Sequence, residues 1–153
     1  MADTLALDVT ADEGTITKTV FFNASRETVW DFLTQSDKLA QWFHRTDADL
    51  QTGRDYALLI DREDGSADRI CWGKVVEMQP PARLVYTFTF KGLRDVVTTV
   101  TWTLEEALGG TRLTLVHEGL AEAGDGALGF AASLDAGWDE HFSKLRPVIA
   151  ALS

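Results

Sequence analysis

The chain has little of what most firmly fixes a fold or marks a chemistry. One cysteine, Cys71, stands in 153 residues, so no disulfide can form within the chain. A lone thiol, with no basic start or apolar run over the first eight residues, fits a reducing, cytoplasmic setting rather than secretion. The three histidines, His44, His117 and His141, are isolated from one another and from Cys71. Metal sites show paired ligands at short spacing, so neither a metal nor another cofactor is expected. No apolar run approaches the ~20 residues of a membrane span. Gly109-Gly110 and the cluster Gly124, Gly126 and Gly129 lack the strand-to-helix setting and Lys-Ser/Thr ending of a phosphate loop, and no nucleophile elbow is present. Lys and Arg number 14 against 24 Asp and Glu, a formal charge of −10. Such a surface repels phosphate backbones, which argues against a nucleic-acid partner.

What the chain does have is aromatic residues, including five Trp and eight Phe. Its length fits one domain. Residues 1–13 are small and acidic without period and read as a loose arm, leaving 14–153 as a single domain. Ile16 to Phe22, rich in β-branched residues, predicts the first strand. Ser25 is placed as an N-cap with Glu27 in the first turn, and Val29, Trp30 and Leu33 share one helical face. Ser36 reads as a second N-cap, with Leu39, Trp42 and Phe43 on the apolar side. Two short helices should therefore meet at Thr34 to Ser36.

The period then changes to two. Tyr56, Leu58 and Ile60 share one parity, and residues 62–66 form a turn. Ile70 to Met78 predicts a strand, with Gly73 as a bulge or close backbone approach. Pro80-Pro81 stops it. Leu84, Tyr86, Phe88 and Phe90 alternate with Val85, Thr87 and Thr89. Val96, Val100, Trp102 and Leu104 alternate with Thr99, Thr101 and Thr103. Gly109-Gly110 signals a hairpin, after which Leu113, Leu115 and His117 share a face. An antiparallel sheet with one dry and one Thr-rich wet face is implied. The cover for the dry face is a C-terminal helix whose stripe is Leu134, Trp138, Phe142, Leu145 and Ile149, with His141 on the same side. Pro147 should bend its last turns.

Three motifs carry a family resemblance. Val29-Trp30 with the run Leu39 to Phe43 is the first. Gly73 to Phe88, containing Pro80-Pro81 and Arg83-Leu-Val-Tyr86, is the second. Gly137-Trp138 followed by Phe142 and Leu145 is the third. In this order they resemble the START-like (SRPBCC) superfamily, in the branch related to the activator of heat-shock-protein-90 ATPase. The resemblance implies an α+β helix-grip fold: a curved antiparallel sheet wrapped around a long C-terminal helix, with two short helices after the first strand. It also implies an apolar cavity between sheet and helix that binds hydrophobic small molecules or lipids, and in some members cyclises or hydrates polyketide-like compounds. The family often has Leu where Phe142 stands, so the space under the helix should differ in shape.

On this reading Trp138 and Phe142 form the helix wall of the cavity. Tyr56, Tyr86, Phe88, Trp102 and His117 line the sheet, Trp42 and Phe43 stand near the mouth, and His141 faces inward from the helix. The same aromatics would equally serve as ordinary core. An inward His117 or His141 is either a ligand anchor or proton shuttle, or a satisfied core histidine. His44 reads as a solvated helix end, Cys71 as a small buried hydrophobe, and the carboxylates, Asp139 and Glu140 included, as solvated faces. Residues 121–129 are a connector or a lid. The preferred expectation is a carrier of a hydrophobic small molecule or lipid with no catalytic set, as monomer or homodimer. The alternatives are a module that stimulates a chaperone ATPase, and an enzyme acting on an apolar carbonyl compound through His117.

Overall fold

The computed structural model describes residues 14–93 and 96–152; the arm expected over 1–13 lies outside them. The chain opens with β1 (Ile16–Phe22), then α1 (Arg26–Thr34) and α2 (Ser36–Leu39). Five strands follow: β2 (Asp55–Asp61), β3 (Ala67–Gln79), β4 (Arg83–Phe90), β5 (Thr98–Ala107) and β6 (Gly110–Glu118). A 3-10 segment, Leu120–Gly126, leads into the 24-residue α3 (Ala127–Ala150). The six strands form one curved antiparallel sheet in the order β1-β6-β5-β4-β3-β2, and α3 lies against its apolar face.

Local chemistry explains the first elements. Ser25 caps α1 by accepting the Thr28 amide at 3.2 Å, which satisfies one of the helix's unpaired donors. Val29, Trp30, Phe32 and Leu33 are buried. Ser36 is not a cap but the first residue of α2. Its hydroxyl donates to the Thr46 carbonyl (2.6 Å) and accepts from the Thr46 amide (3.2 Å). This clamp turns the chain back along β2, where Leu59 N donates to Arg45 O and Asp47 N to Ala57 O.

The register aligns the dry face in rows. Tyr86, Val100, His117 and Ile16 face one another across β4, β5, β6 and β1. The next row is Leu84, Trp102, Leu115 and Lys18. Lys18 thus points inward from an edge strand, and Asp135 and Asp139 of α3 meet it at 2.7 and 2.9 Å. Asp139, expected to be merely solvated, pairs with it while staying exposed. Burial works to lower the Lys18 pKa, but the two carboxylates outweigh it and raise the value.

Three strand details differ from expectation. Ile70 is an extra residue in β3, since Leu58 pairs with Cys71 and Leu59 with Arg69, and past this bulge Ile60 of β2 is 43% exposed. Val96 precedes β5, because a 3-10 turn at Lys91–Leu93 ends β4 first. The hairpin turn is Leu108-Gly109, both at positive φ (54° and 85°), and Gly110 already pairs with Ala107 inside the sheet.

Helix α3 begins at Ala127, so three residues of the expected connector are helical. It runs past Pro147 to Ala150. Its buried residues are Trp138, Phe142, Leu145 and Ile149, all from the helix midpoint onward. Each is worth roughly 1.5–3 kcal/mol on burial. Over 127–137 no residue is fully buried, and Phe130 and Leu134 are half-buried. The helix is therefore held at one end and bridges a gap at the other.

Gly73 marks a close backbone approach: a Cβ there would lie 2.0 Å from the Thr87 carbonyl oxygen. Gly73→Ala should therefore lower the unfolding free energy by about 2 kcal/mol or more, read as a shift of the urea midpoint. An unchanged midpoint would show that β3 and β4 can part at this point without cost.

Candidate ligand-binding site

The gap under the first half of α3 is a cavity of about 330 Å³. Phe43 and His44 contribute from the segment after α2, Ile70 and Cys71 from β3, and Phe88 and Phe90 from β4. The helix supplies Ser133, Leu134, Gly137, Trp138 and His141. No Asp, Glu, Lys or Arg is among them. Ring contacts tie the walls together: Phe43 stacks on Trp138 at 5.2 Å and meets His141 edge-on at 4.7 Å. His44 stands 5.5 Å from His141.

Four of the ten residues singled out in the sequence, Phe43, Phe88, Trp138 and His141, line this space. The other six lie behind it. Trp42, expected near the mouth, is 1% exposed, stacks on Phe142 and donates its Nε1–H to the Phe32 carbonyl at 2.8 Å. Trp102 donates to Tyr86 Oη at 2.9 Å, and Tyr56 Oη donates to the Thr87 carbonyl at 2.6 Å. These polar tips find partners within the protein, so their side chains pack as core.

His117 is 0% exposed, and both ring nitrogens are engaged. Trp138 Nε1–H donates to His117 Nδ1 at 3.1 Å, and His117 Nε2 is 2.8 Å from Thr98 Oγ1. It is a satisfied core histidine and presents no free nitrogen for acid or base work. Burial pushes its pKa down to about 4.

Sequence reasoning missed His44, Ile70, Cys71, Phe90, Ser133, Leu134 and Gly137 as wall residues. Leu134 was in the helix stripe and Phe90 shared parity with Phe88, so the pattern held a signal for both. His44 is half-buried rather than solvated, because the Ser36–Thr46 clamp folds its segment against the end of the sheet. Cys71 pairs with Phe90 across β3 and β4 and forms wall rather than deep core.

Every titratable wall group is held neutral near pH 7. Burial, then the charge of Lys144, lowers His44. Burial and then His44 push His141 down to about 4, and its Nδ1 is buried without a hydrogen-bond partner. Burial raises the Cys71 thiol to about 12, far from the thiolate that a nucleophile needs. Among the described residues no group of three or more His, Cys, Asp or Glu is placed to hold a metal, and no helix is long and apolar enough to cross a membrane.

The family model described as Activator of Hsp90 ATPase homolog 1-like protein matches residues 23–150. Comparison with curated proteins finds no match. Solved structures do match. A protein of Rhodobacter sphaeroides is 25% identical at a TM-score of 0.73, over 92% of this chain and 95% of that one. DynU16, a protein in the dynemicin biosynthetic locus, is 26% identical at a TM-score of 0.69, over 86% of this chain but 45% of that one. The Aha1 dimer of Colwellia psychrerythraea shares the fold at 19% identity and a TM-score of 0.68, over 88% of this chain and 95% of that one.

The buried histidines give stability a pH dependence. Unfolded, His117 and His141 take up a proton near 6.5; folded, they do so only near 4. Between these values the unfolded state binds more protons, so stability is full above about pH 6.5 and falls as the pH drops toward 4. For His117 the loss is on the order of 3 kcal/mol. Urea midpoints should fall steadily across this window, and His117→Gln should flatten much of the slope. A midpoint independent of pH would contradict neutral burial of both rings.

Proposed function

Because the chain belongs to the family of Activator of Hsp90 ATPase homolog 1-like proteins and has an uncharged cavity under its C-terminal helix, we propose that it binds a small, uncharged, apolar molecule between the first half of α3 and strands β3 and β4. A volume of about 330 Å³ falls at the low end of the roughly 300–1,000 Å³ typical of small-molecule pockets. It suits a compound of one or two rings or a single short chain, not a two-chain lipid. The match to a protein in a dynemicin biosynthetic locus supports a small organic guest.

One observation carries the reading. Gly137 lies on the inward face between Leu134 and His141, and a Cβ added there would meet nothing within 4 Å. A glycine inside a helix costs about 1 kcal/mol against alanine. Here that cost leaves space in the cavity wall which almost any side chain would fill.

The second reading, stimulation of a chaperone ATPase, is favoured by the family description and by the shared Aha1 fold. It requires a partner surface rather than a hollow. Stimulation of a heat-shock chaperone's ATPase by the protein would support it, and would be insensitive to filling the cavity.

The uncharged fluorescent probe N-phenyl-1-naphthylamine tests the first reading. The wild type should bind it, and Gly137→Leu should weaken binding tenfold or more while keeping the fold. Gly137→Ala should raise the unfolding free energy by about 0.5–1 kcal/mol. Equal probe affinity in wild type and Gly137→Leu would rule out this cavity as the site.

A further inference from the structure

We propose that His117 is a positioning residue for the cavity: it fixes the helix wall to the sheet wall from behind, without touching the guest. The inference rests on the reading of the cavity as a ligand site. Its basis is a directed chain of hydrogen bonds. Thr98 Oγ1 donates its one proton to the Phe88 carbonyl at 2.6 Å. At its 2.8 Å contact with His117 Nε2 that oxygen must therefore accept, so Nε2 carries the hydrogen. Nδ1 is then a bare lone pair, and it takes the Trp138 indole N–H at 3.1 Å. The sequence Trp138 to His117 to Thr98 to Phe88 runs from α3 through β6 and β5 to β4. Both of its ends, Trp138 and Phe88, are cavity wall.

Only one form of the imidazole satisfies all three bonds. The alternative neutral tautomer puts a hydrogen on Nδ1, facing the indole donor, and leaves Nε2 without one. Protonation also sets two donors against each other at Nδ1. A buried indole N–H without an acceptor is costly, so Trp138 must then rotate or the helix must shift. Trp138 stacks on Phe43 at 5.2 Å, and its movement would carry the opposite wall with it. The elements packed on His117 present Thr98 and Val100 from β5, Ile16 from β1, Phe88 from β4 and Trp138 from α3. None of these is charged or titrates near neutral pH, so within this set the ring's own proton is the switch.

The test combines side-chain nitrogen NMR with probe binding. In the wild type, His117 should show the neutral tautomer with hydrogen on Nε2, and the Trp138 indole proton should exchange slowly. His117→Leu has similar bulk and neither hydrogen bond. It should speed exchange of that proton at least tenfold and weaken N-phenyl-1-naphthylamine binding tenfold or more. His117→Gln offers both an acceptor and a donor and should restore both readouts to within about threefold. Should His117→Leu fail to fold, Thr98→Val replaces it: loss of the Nε2 partner should speed Trp138 exchange and weaken the probe by about threefold or more. Hydrogen on Nδ1 in the wild type, or a folded His117→Leu with wild-type exchange and affinity, overturns the proposal. Should the wild type bind no probe at all, the ligand reading fails, and the exchange data still decide whether His117 holds Trp138.

Discussion

An antiparallel sheet with one apolar face must have that face covered, and among the described residues this chain has one helix long enough to do it. The rest of the structure follows from how unevenly that helix is anchored. Trp138, Phe142, Leu145 and Ile149 hold it from its midpoint onward, while the turns before Trp138 reach over the end of the sheet with Phe130 and Leu134 only half-buried. Two short helices and the clamp of Ser36 on Thr46 close the side of the gap with Phe43 and His44. The hollow lies where the helix outruns its anchors.

Around that hollow the large aromatics are fixed by direction as well as by bulk. Each of Trp42, Trp102, Trp138, Tyr56 and Tyr86 has its polar tip engaged inside the protein. Satisfied buried polar groups define one arrangement, because any other leaves a donor or acceptor stranded. His141 is different, since its Nδ1 is buried without a partner. That atom sits on a wall residue, whereas the groups farther back are satisfied.

Much of the architecture was legible in the sequence. The alternation in β4, β5 and β6 and the stripe of α3 directly report burial on one face, and Ser25 and Gly73 carry meanings set by local geometry. The division between core and cavity wall was not legible. Tyr86, Phe88 and Phe90 have the same parity, and nothing along the chain says that Tyr86 ends against Trp102 while its two neighbours border open space. That distinction depends on register across strands and on where the helix lifts away. The bulge at Ile70 and the fold-back that buries His44 escaped for the same reason: each depends on pairing between segments that no local period records. His117 showed the limit most plainly. Its inward parity was visible, but its role depends on Thr98 and Trp138, which are distant in sequence.

Lys18 has one more consequence. A sheet that does not close on itself leaves two rows of backbone groups free to recruit a strand from another molecule, the first step toward aggregation. Here β1 carries an inward-facing lysine fixed by Asp135 and Asp139, and the outer side of β2 is partly taken by the stretch around Thr46. An incoming strand would meet a committed charge at one border and an occupied ladder at the other. Both borders of the sheet are thereby poor templates for strand addition.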